Sequence, residues 1–495
     1  MPYSNLIGII LLAALCASAF PPLNIYPIIL LILAPLLVII RNAESTRKAM
    51  AFGWLFGALY MAILHGWMQS LQTFVPLPGI IAVWIAYATY LGLFFGVGLA
   101  LIRWLPRQIP LWISAPAIWT LFEFLRSLGP LGNPSGDVGY AVLNLQPLPL
   151  VGALGGIYLV SFMVVLFNAL LAEIIMQGGA RKMATCFLGF VVAGIWMASG
   201  QLIRYHTVRN SADHTTVISL VQGNHPQMDK FNPILWAQIK ADYIRLSANA
   251  PTSNIIIWPE TITPTLNTND PELLSAIQKI SQERQSAILW GTPIQIGTAY
   301  YNGIVGVDSQ SNPIPPYLKH QLMPFGEYWP FPSVLRAIGL SNLIGQNYSL
   351  GTQNTPLIAH PTAYIGTVIC LESLYPNHFR NATLQGATIL MVGANNAWFT
   401  GSRAADHHLL ISRMRSIENS RWTCVASNTG KTAFIDELGN IDQVASMDQQ
   451  LILTGTIPII HRITPYTQSG NWIISICSVI LGVCLGIKAY TKFRL

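Results

Sequence analysis

The stretch YIGTVICLESLYPN, Tyr364–Asn377, decides how the polar half of this chain is read. An apolar run rich in β-branched residues ends on Cys370, and Glu372 follows two positions later. Such a run, bounded by turn residues, predicts a buried strand. A thiol at its end is either a core residue or a nucleophile. Spacing alone leaves both readings open, because free cysteine is among the most buried residue types. Runs of the same kind recur on both sides: TTVISLVQ, NIIIWPE, SAILWGTP, YNGIVGV, ATILMVGA, WTCVASN and LILTGTI. Between them lie helical patterns such as PELLSAIQKISQERQ and ADHHLLISRMRSIENSR. Alternating strands and helices predict an α/β fold with helices covering the sheet. Residues 204–469 span about 260 positions, enough for a substantial core.

The rest of the chain is different in kind. Of 495 residues, 9% are charged and 52% hydrophobic, with mean hydropathy +0.47. A soluble protein carries about 25% charged residues, so the composition predicts an integral membrane protein. Apolar segments fall near 5–20, 24–40, 50–68, 78–102, 109–125, 151–176, 183–203 and 470–487. Crossing a bilayer takes roughly 20 apolar residues. The first segment is short, and the fifth carries Glu123. Ala17-Ser18-Ala19 looks like a signal-peptidase site, but residues 2–5 hold no basic residue, so an uncleaved helix is expected.

Basic connections alternate with neutral ones. RNAESTRK, RWLPRQ, QGGARK and KAYTKFR carry Lys and Arg, whereas PPLNIYP and MQSLQTFVPLPG carry none. The positive-inside rule then places both ends of the chain inside and residues 204–469 outside. Three parts are expected: seven membrane helices over 1–203, a catalytic domain over 204–469, and a last helix with a cytoplasmic tail over 470–495. Arg126, on an outward loop, is the exception to the charge pattern. The net charge of +7 is scattered, without a basic block interleaved with aromatics, so no nucleic-acid partner is expected.

Three polar stretches in the α/β block sit where a fold needs only apolar residues: NIIIWPETITP, YLKHQLMPFGEYWP and the opening stretch. Each sets a functional group at or just past a strand end: Glu260, Lys319 with Glu327, and Cys370 with Glu372. Ligands of open α/β sheets bind outside those ends. A glutamate takes a thiol proton, a lysine lowers a thiol pKa and stabilises an oxyanion, and the backbone N–H of Leu371 is a second candidate donor. The bland alternatives are a surface carboxylate at Glu260 with Lys319 as its ion-pair partner. Cys424 reads as core. Arg413, Arg415, Glu418 and Arg421 read as a solvated or salt-bridged helix face. His407-His408 is adjacent rather than helically spaced, and no Cys/His ligand pattern occurs, so neither a metal nor a cofactor is expected.

WPE, K-x5-PFGEY and CLES, in this order, resemble the Glu–Lys–Cys triad of the nitrilase superfamily. With VQGNHPQ, NNAWFTGS and RSIENSR…ASNTGKT, and helices on both sides of the catalytic block, nearly the whole chain resembles the apolipoprotein N-acyltransferase family of bacterial inner membranes. The resemblance implies an α-β-β-α sandwich beside about eight transmembrane helices. It implies Glu260 as general base, Lys319 as electrophile stabiliser, Cys370 as nucleophile, Glu327 as a further carboxylate and Glu372 as support for the cysteine loop. Phe231 and Trp398 are the implied substrate contacts. It further implies a glycerophospholipid acyl donor, a diacylglyceryl-cysteine apolipoprotein acceptor, a thioester intermediate, a multi-pass inner-membrane protein with a periplasmic catalytic domain, and a monomer. Leu371 stands where relatives often carry Tyr, Phe231 where many carry Trp, and the loop EFLRSLGPLGNPSGDVGY lacks a common GFPW. Competing expectations are a membrane-tethered amidase or nitrilase acting on a small amide, and a transporter or lipid-binding receptor. The uncharged segment 328–345, with Trp329, Phe331, Val334, Leu335, Ile338, Leu343 and Ile344, either dips into the outer leaflet or packs as a buried loop. Cys370 and Cys424 are expected to stay unbridged.

Overall fold

The computed structural model describes residues 2–209, 214–337, 347–352 and 355–493. The helical half comprises α1 (Pro2–Ser18), α2 (Ile29–Arg41), α3 (Thr46–Leu64), α4 (Leu77–Trp104), α5 (Leu111–Arg126), α6 (Gly152–Met176) and α7 (Gly179–Arg209). Two lipid-compatible helices associate closely only where side chains are small. Accordingly α3 and α4 meet at glycines: a Cβ on Gly92 would lie 2.7 Å from the Ala58 nitrogen. By length and hydropathy α4, Leu148–Met176, α7 and Trp472–Thr491 can each cross a membrane; α3 with the 3-10 turn Gly66–Thr73 makes a fifth, bent by 45°. The helices α1, α2 and α5 are shorter. Arg126 is not a loop charge. It is fully buried at the end of α5, where Nη2 donates to Asp137 Oδ1 at 2.5 Å and Nη1 donates to the Ser135 carbonyl at 2.7 Å. Its departure from the charge pattern has a structural cause, since it ties the loop after α5 to the bundle.

The α/β half follows. Its strands are β1 (Thr215–Gln222), β2 (Ile255–Ile257), β3 (Ala287–Ile296), β4 (Ala299–Val307), β5 (Pro313–Leu318), β6 (Leu357–His360), β7 (Ala363–Ile369), β8 (Ile389–Ala394), β9 (Thr423–Ser427), β10 (Ala433–Ile435), β11 (Ile441–Val444) and β12 (Leu451–Pro458). They form two six-stranded mixed sheets, ordered β12-β1-β2-β3-β4-β5 and β11-β10-β9-β8-β7-β6. All the quoted apolar runs are strands. β5 is PIPPYL, and its prolines are tolerated because it lies at a sheet edge. The helices are α8 (Gln227–Lys230), α9 (Trp236–Ala248), α10 (Pro271–Arg284), α11 (Pro332–Ala337), α12 (Pro376–Leu384) and α13 (Ala404–Asn419); then α14 (Pro465–Ser469) and α15 (Trp472–Phe493) return the chain to the bundle.

The layers follow from the burial. Ile218, Ile257, Leu289, Ile365, Met391 and Cys424 pack between the two sheets. Ile239, Tyr243 and Ile277 of α9 and α10 cover the outer face of the first sheet. Phe379 of α12 and Leu409 of α13 cover that of the second. The result is an α-β-β-α sandwich. α13 has a second apolar face: Leu410, Ile411, Met414 and Ile417 belong to the core of the helical bundle.

The charges of α13 are therefore not a solvated face. Arg413, Arg415, Glu418 and Arg421 are all buried. Arg415 pairs with Glu418 at 3.2 Å and donates to the Tyr140 hydroxyl at 2.9 Å. Glu418 Oε1 accepts the Ile157 N–H at 2.8 Å, just after α6 breaks at Gly155 and Gly156 (φ +72°). A helix N-terminus leaves such N–H groups unpaired and attracts negative charge. Glu418, from the α/β half, thus caps the restarted α6.

Candidate active site

Glu260 follows β2, Lys319 follows β5 and Cys370 follows β7. β5 runs antiparallel to β4, which is antiparallel to β3, itself parallel to β2. β2 and β5 therefore end at the same edge, and β7 of the facing sheet brings the thiol there. Cys370 turns the chain from β7 into the 3-10 turn Cys370–Leu374 with φ +50°, a left-handed conformation that non-glycine residues seldom adopt.

Four side chains form a closed polar ring. Lys319 Nζ lies 2.9 Å from Glu327 Oε1 and 3.4 Å from Glu260 Oε1. Asn302 Nδ2, from β4, donates to the same two oxygens at 2.7 and 2.9 Å. The second Glu327 oxygen accepts the Met323 N–H at 2.8 Å. Glu260 and Lys319 are buried. Burial alone would strip the Lys319 proton, but Glu327 and then Glu260 outweigh it and hold the ammonium well above its usual range.

Cys370 stands in the field of this ring. Desolvation, then the Glu260 charge, pushes its thiol up; Lys319 opposes, and the Asn395 backbone N–H donates to the sulfur. The resting sulfur is therefore held as a thiol. The Cys370 carbonyl accepts from His408 Nε2 at 3.1 Å. Glu372, fully buried, joins two strand ends: Oε1 accepts the His320 and Gln321 N–H groups at 2.5 and 3.1 Å, and Oε2 accepts the Ile369 N–H at 2.6 Å and the Tyr317 hydroxyl at 2.8 Å. It thereby fixes the turn after Lys319 against the turn at Cys370. Leu371 is half-buried and is the second residue of the 3-10 turn. Cys424 is buried in β9, and both it and Cys370 are free thiols.

Aromatic and hydroxyl contacts join the two halves. Phe231, half exposed, meets Trp398 edge-on at 5.5 Å, and both meet Phe74 of the α3–α4 connection, at 6.4 and 4.9 Å. Trp67 stacks edge-on against Phe399 at 4.8 Å. The Tyr328 and Tyr375 hydroxyls donate to the carbonyls of Pro130 and Gly132 in the loop after α5. Phe325 and Phe331 are half exposed. Of the segment 328–345, Trp329 and α11 are described, whereas Ile338, Leu343 and Ile344 lie outside the described residues. Among the described residues no cluster of His, Cys, Asp or Glu could hold a metal. Sequence reasoning passed over Asn302, Asn395, Lys230 and Phe74, and weighed His408 only as a metal ligand. Asn302, an amide inside the apolar strand YNGIVGV, carried the clearest signal.

Carboxylates, a lysine and a thiol stand at the strand ends of an α-β-β-α sandwich, and the family model described as carbon-nitrogen hydrolase matches residues 217–460, which makes this half a carbon–nitrogen hydrolase-type domain. Residues 12–170 match the model described as apolipoprotein N-acyltransferase N-terminal domain. Apolipoprotein N-acyltransferases of Pseudomonas putida and Azotobacter vinelandii are each 31% identical, over 94% and 95% of this chain and 94% and 93% of theirs. The chain belongs to the apolipoprotein N-acyltransferase family. Among solved structures, the carbon-nitrogen hydrolase of Helicobacter pylori aligns with TM-score 0.37 and 16% identity, over 49% of this chain and 89% of its own. Nit3 of Saccharomyces cerevisiae aligns with TM-score 0.39 and 14% identity, over 50% and 91%.

Proposed function

We propose that this enzyme moves an acyl chain from a glycerophospholipid to the N-terminal α-amine of a diacylglyceryl-cysteine apolipoprotein, through a thioester on Cys370. The observation that supports the reading is an aromatic cluster shared by both halves, in which Phe231, Trp398 and Phe399 of the sandwich meet Phe74 and Trp67 of a helix connection, and which the reading takes as the rim of the site. A hydrolase of small soluble amides needs no such rim. Both lipids stay in the bilayer and reach the thiol from its surface. The reading places residues 1–203 and 470–495 in the bacterial inner membrane as eight helices, with 204–469 on the periplasmic side and the enzyme acting as a monomer. Arg41 and Lys488, which donate to the Ile102 and Trp104 carbonyls at the end of α4, and Arg103 of α4, which donates to the Ala43 carbonyl, support that orientation.

In the first half-reaction Cys370 Sγ attacks the ester carbonyl while its proton passes to Glu260. Lys319 and the Leu371 N–H receive the oxyanion. Glu327 and Asn302 keep Lys319 charged and aimed. Glu260 returns the proton to the leaving alcohol, and a lysophospholipid departs. In the second half-reaction the α-amine attacks the thioester, Glu260 takes a proton from the amine nitrogen, Cys370 leaves as thiolate, and Glu260 passes that proton to it. Phe231, Trp398 and Phe74 hold the acyl chain and keep water from the thioester. Glu372 positions the Lys319 and Cys370 turns without touching substrate.

The test is mass spectrometry of the Cys370 peptide after incubation with phospholipid and no acceptor. An acyl mass released by hydroxylamine is expected, and it should vanish in Cys370→Ala. An unmodified thiol together with turnover of small amides would refute the proposal.

A further inference from the structure

Lys230 ends α8, one residue before Phe231. The residue is 1% exposed, and among the described residues Nζ has no hydrogen-bond partner. Leaving a buried amine unpaired is unfavourable by several kcal/mol, so its placement needs a reason. The placement is firm. Asn395, whose backbone N–H donates to Cys370 Sγ, donates through Nδ2 to Gln227 Oε1 at 2.8 Å. Asn428 Nδ2 bridges the His225 carbonyl at 2.8 Å and Asn395 Oδ1 at 3.1 Å. Trp236 Nε1 donates to the Lys230 carbonyl at 2.8 Å. One amide network therefore holds the α8 turn and the nucleophile in a common frame.

The charge that acts on Lys230 from the neighbouring elements is Glu260. His225, on its own segment, faces Asp242 at 3.9 Å. Burial brings the Lys230 pKa down to about 7, with Glu260 opposing. Near neutrality this nitrogen can therefore be an amine with a free lone pair, whereas Lys319 stays an ammonium.

The first half-reaction has no use for a second amine. The second does. An α-amino group has a pKa of about 7.7–8.0, so the acceptor arrives largely as an ammonium. It must lose two protons to become an amide, and Glu260 carries one at a time. Building on the acyl-transfer reading, we propose that Lys230 Nζ is the base that takes the first proton from the incoming α-ammonium, leaving Glu260 for the second. The proton moves from R–NH3+ to Lys230, giving R–NH2 and a lysine ammonium. The amine lone pair forms the C–N bond, and the C–S bond breaks with its electron pair on Cys370. The remaining extra proton passes through Glu260 to that thiolate. Lys230 releases its proton to solvent as the triacylated product leaves.

The test uses full-length enzyme in phosphatidylethanolamine nanodiscs, with Lys230→Met and Lys230→Arg. Thioester formation is read by mass without acceptor. Its discharge to a synthetic diacylglyceryl-cysteine peptide is then timed from about pH 6 to about pH 9. Lys230→Met is expected to form thioester within about threefold of wild type and to discharge it about 10²-fold more slowly near neutrality. The deficit should shrink towards the alkaline end, where the acceptor deprotonates unaided. Lys230→Arg should be equally slow, because a guanidinium cannot accept a proton. Full discharge by Lys230→Arg, equal slowing of both half-reactions, or a deficit independent of pH would each overturn the inference. If Lys230→Met does not fold, the arginine variant decides alone. A wild-type enzyme that forms no thioester would overturn the acyl-transfer reading and this inference with it; a wild-type thioester with normal discharge by both variants would overturn the inference only.

Discussion

Gly291, on β3, lies under the backbone that carries the proposed general base. A Cβ there would sit 2.5 Å from the Pro259 carbonyl oxygen and the Thr261 nitrogen, and 2.6 Å from the Glu260 Cα. All three are main-chain atoms, so no side chain can rotate away. Reaching ordinary contact at 3.4 Å requires a displacement of about 0.9 Å. The Gly291 N–H bond to Pro259 and the Ile262 N–H bond to Gly291, both 3.1 Å, must stretch with it. Gly291→Ala therefore moves Glu260 by nearly an ångström relative to Lys319. A misplacement of that size lowers rate by about 10²-fold, equivalent to about 2.7 kcal/mol of barrier. Overpacking should also lower stability by about 1–3 kcal/mol. The assay is the initial rate of thioester formation on Cys370 in the absence of acceptor, with thermal unfolding in detergent alongside. Gly189→Ala, on α7 with open space around it, is the control and should leave both unchanged. A Gly291→Ala enzyme that forms thioester at the wild-type rate would refute the argument that β3 sets the position of the base.

Other outcomes follow from the same geometry. Glu372→Gln keeps the shape but turns one acceptor into a donor facing an N–H; stability should fall by about 1–3 kcal/mol and thioester formation by at least about tenfold, and wild-type behaviour in both would remove Glu372 as the link between the two turns. His408, whose pKa burial lowers to about 4, is neutral in the fold, whereas the unfolded chain protonates near 6.5. Its contribution is thus present above about pH 6.5 and lost as pH falls towards 4, by at most about 3 kcal/mol. In His408→Gln the acid limb of the stability profile should flatten over that window, and an unchanged limb would show that other groups set it. The double variant Phe74→Ala/Trp398→Ala should raise KM for phospholipid about tenfold, near 1.4 kcal/mol, with the rate of discharge to acceptor retained; unchanged KM would exclude the aromatic rim from donor binding.

Much of the α/β half was legible because buried strands in such sheets are apolar throughout and stop sharply at polar residues. That is why Glu260, Lys319 and Cys370 stood out as polar groups at strand ends, while the roles expected of them came from the family resemblance. β5 was not legible, since its prolines argue against a strand until it is known to be an edge. The charges of α13 were legible only in part: the salt-bridged alternative holds for Arg415 and Glu418, whereas the solvated one does not. Helical spacing of Arg and Glu looks the same whether the partner is water or another domain. Leu410, Ile411, Met414 and Ile417 beside Leu409 did hint that two apolar faces were needed. Phe74 could not be found from its own neighbourhood, because only the fold carries it across to Phe231 and Trp398. Arg126 was visible as an anomaly, but its partner Asp137 became meaningful only once the loop between them was seen to close.

The double-faced α13 constrains how this enzyme can come into being. Its inner side completes the second sheet, and its outer side completes the bundle, with Glu418 capping a helix on the far side of the junction. A chain starting at Thr215 would leave Leu410, Ile411, Met414 and Ile417 bare to water and strand the Arg415–Glu418 pair beside them. Secretion of the sandwich as a free-standing enzyme is therefore closed to it. The sandwich and the helical bundle complete each other across α13.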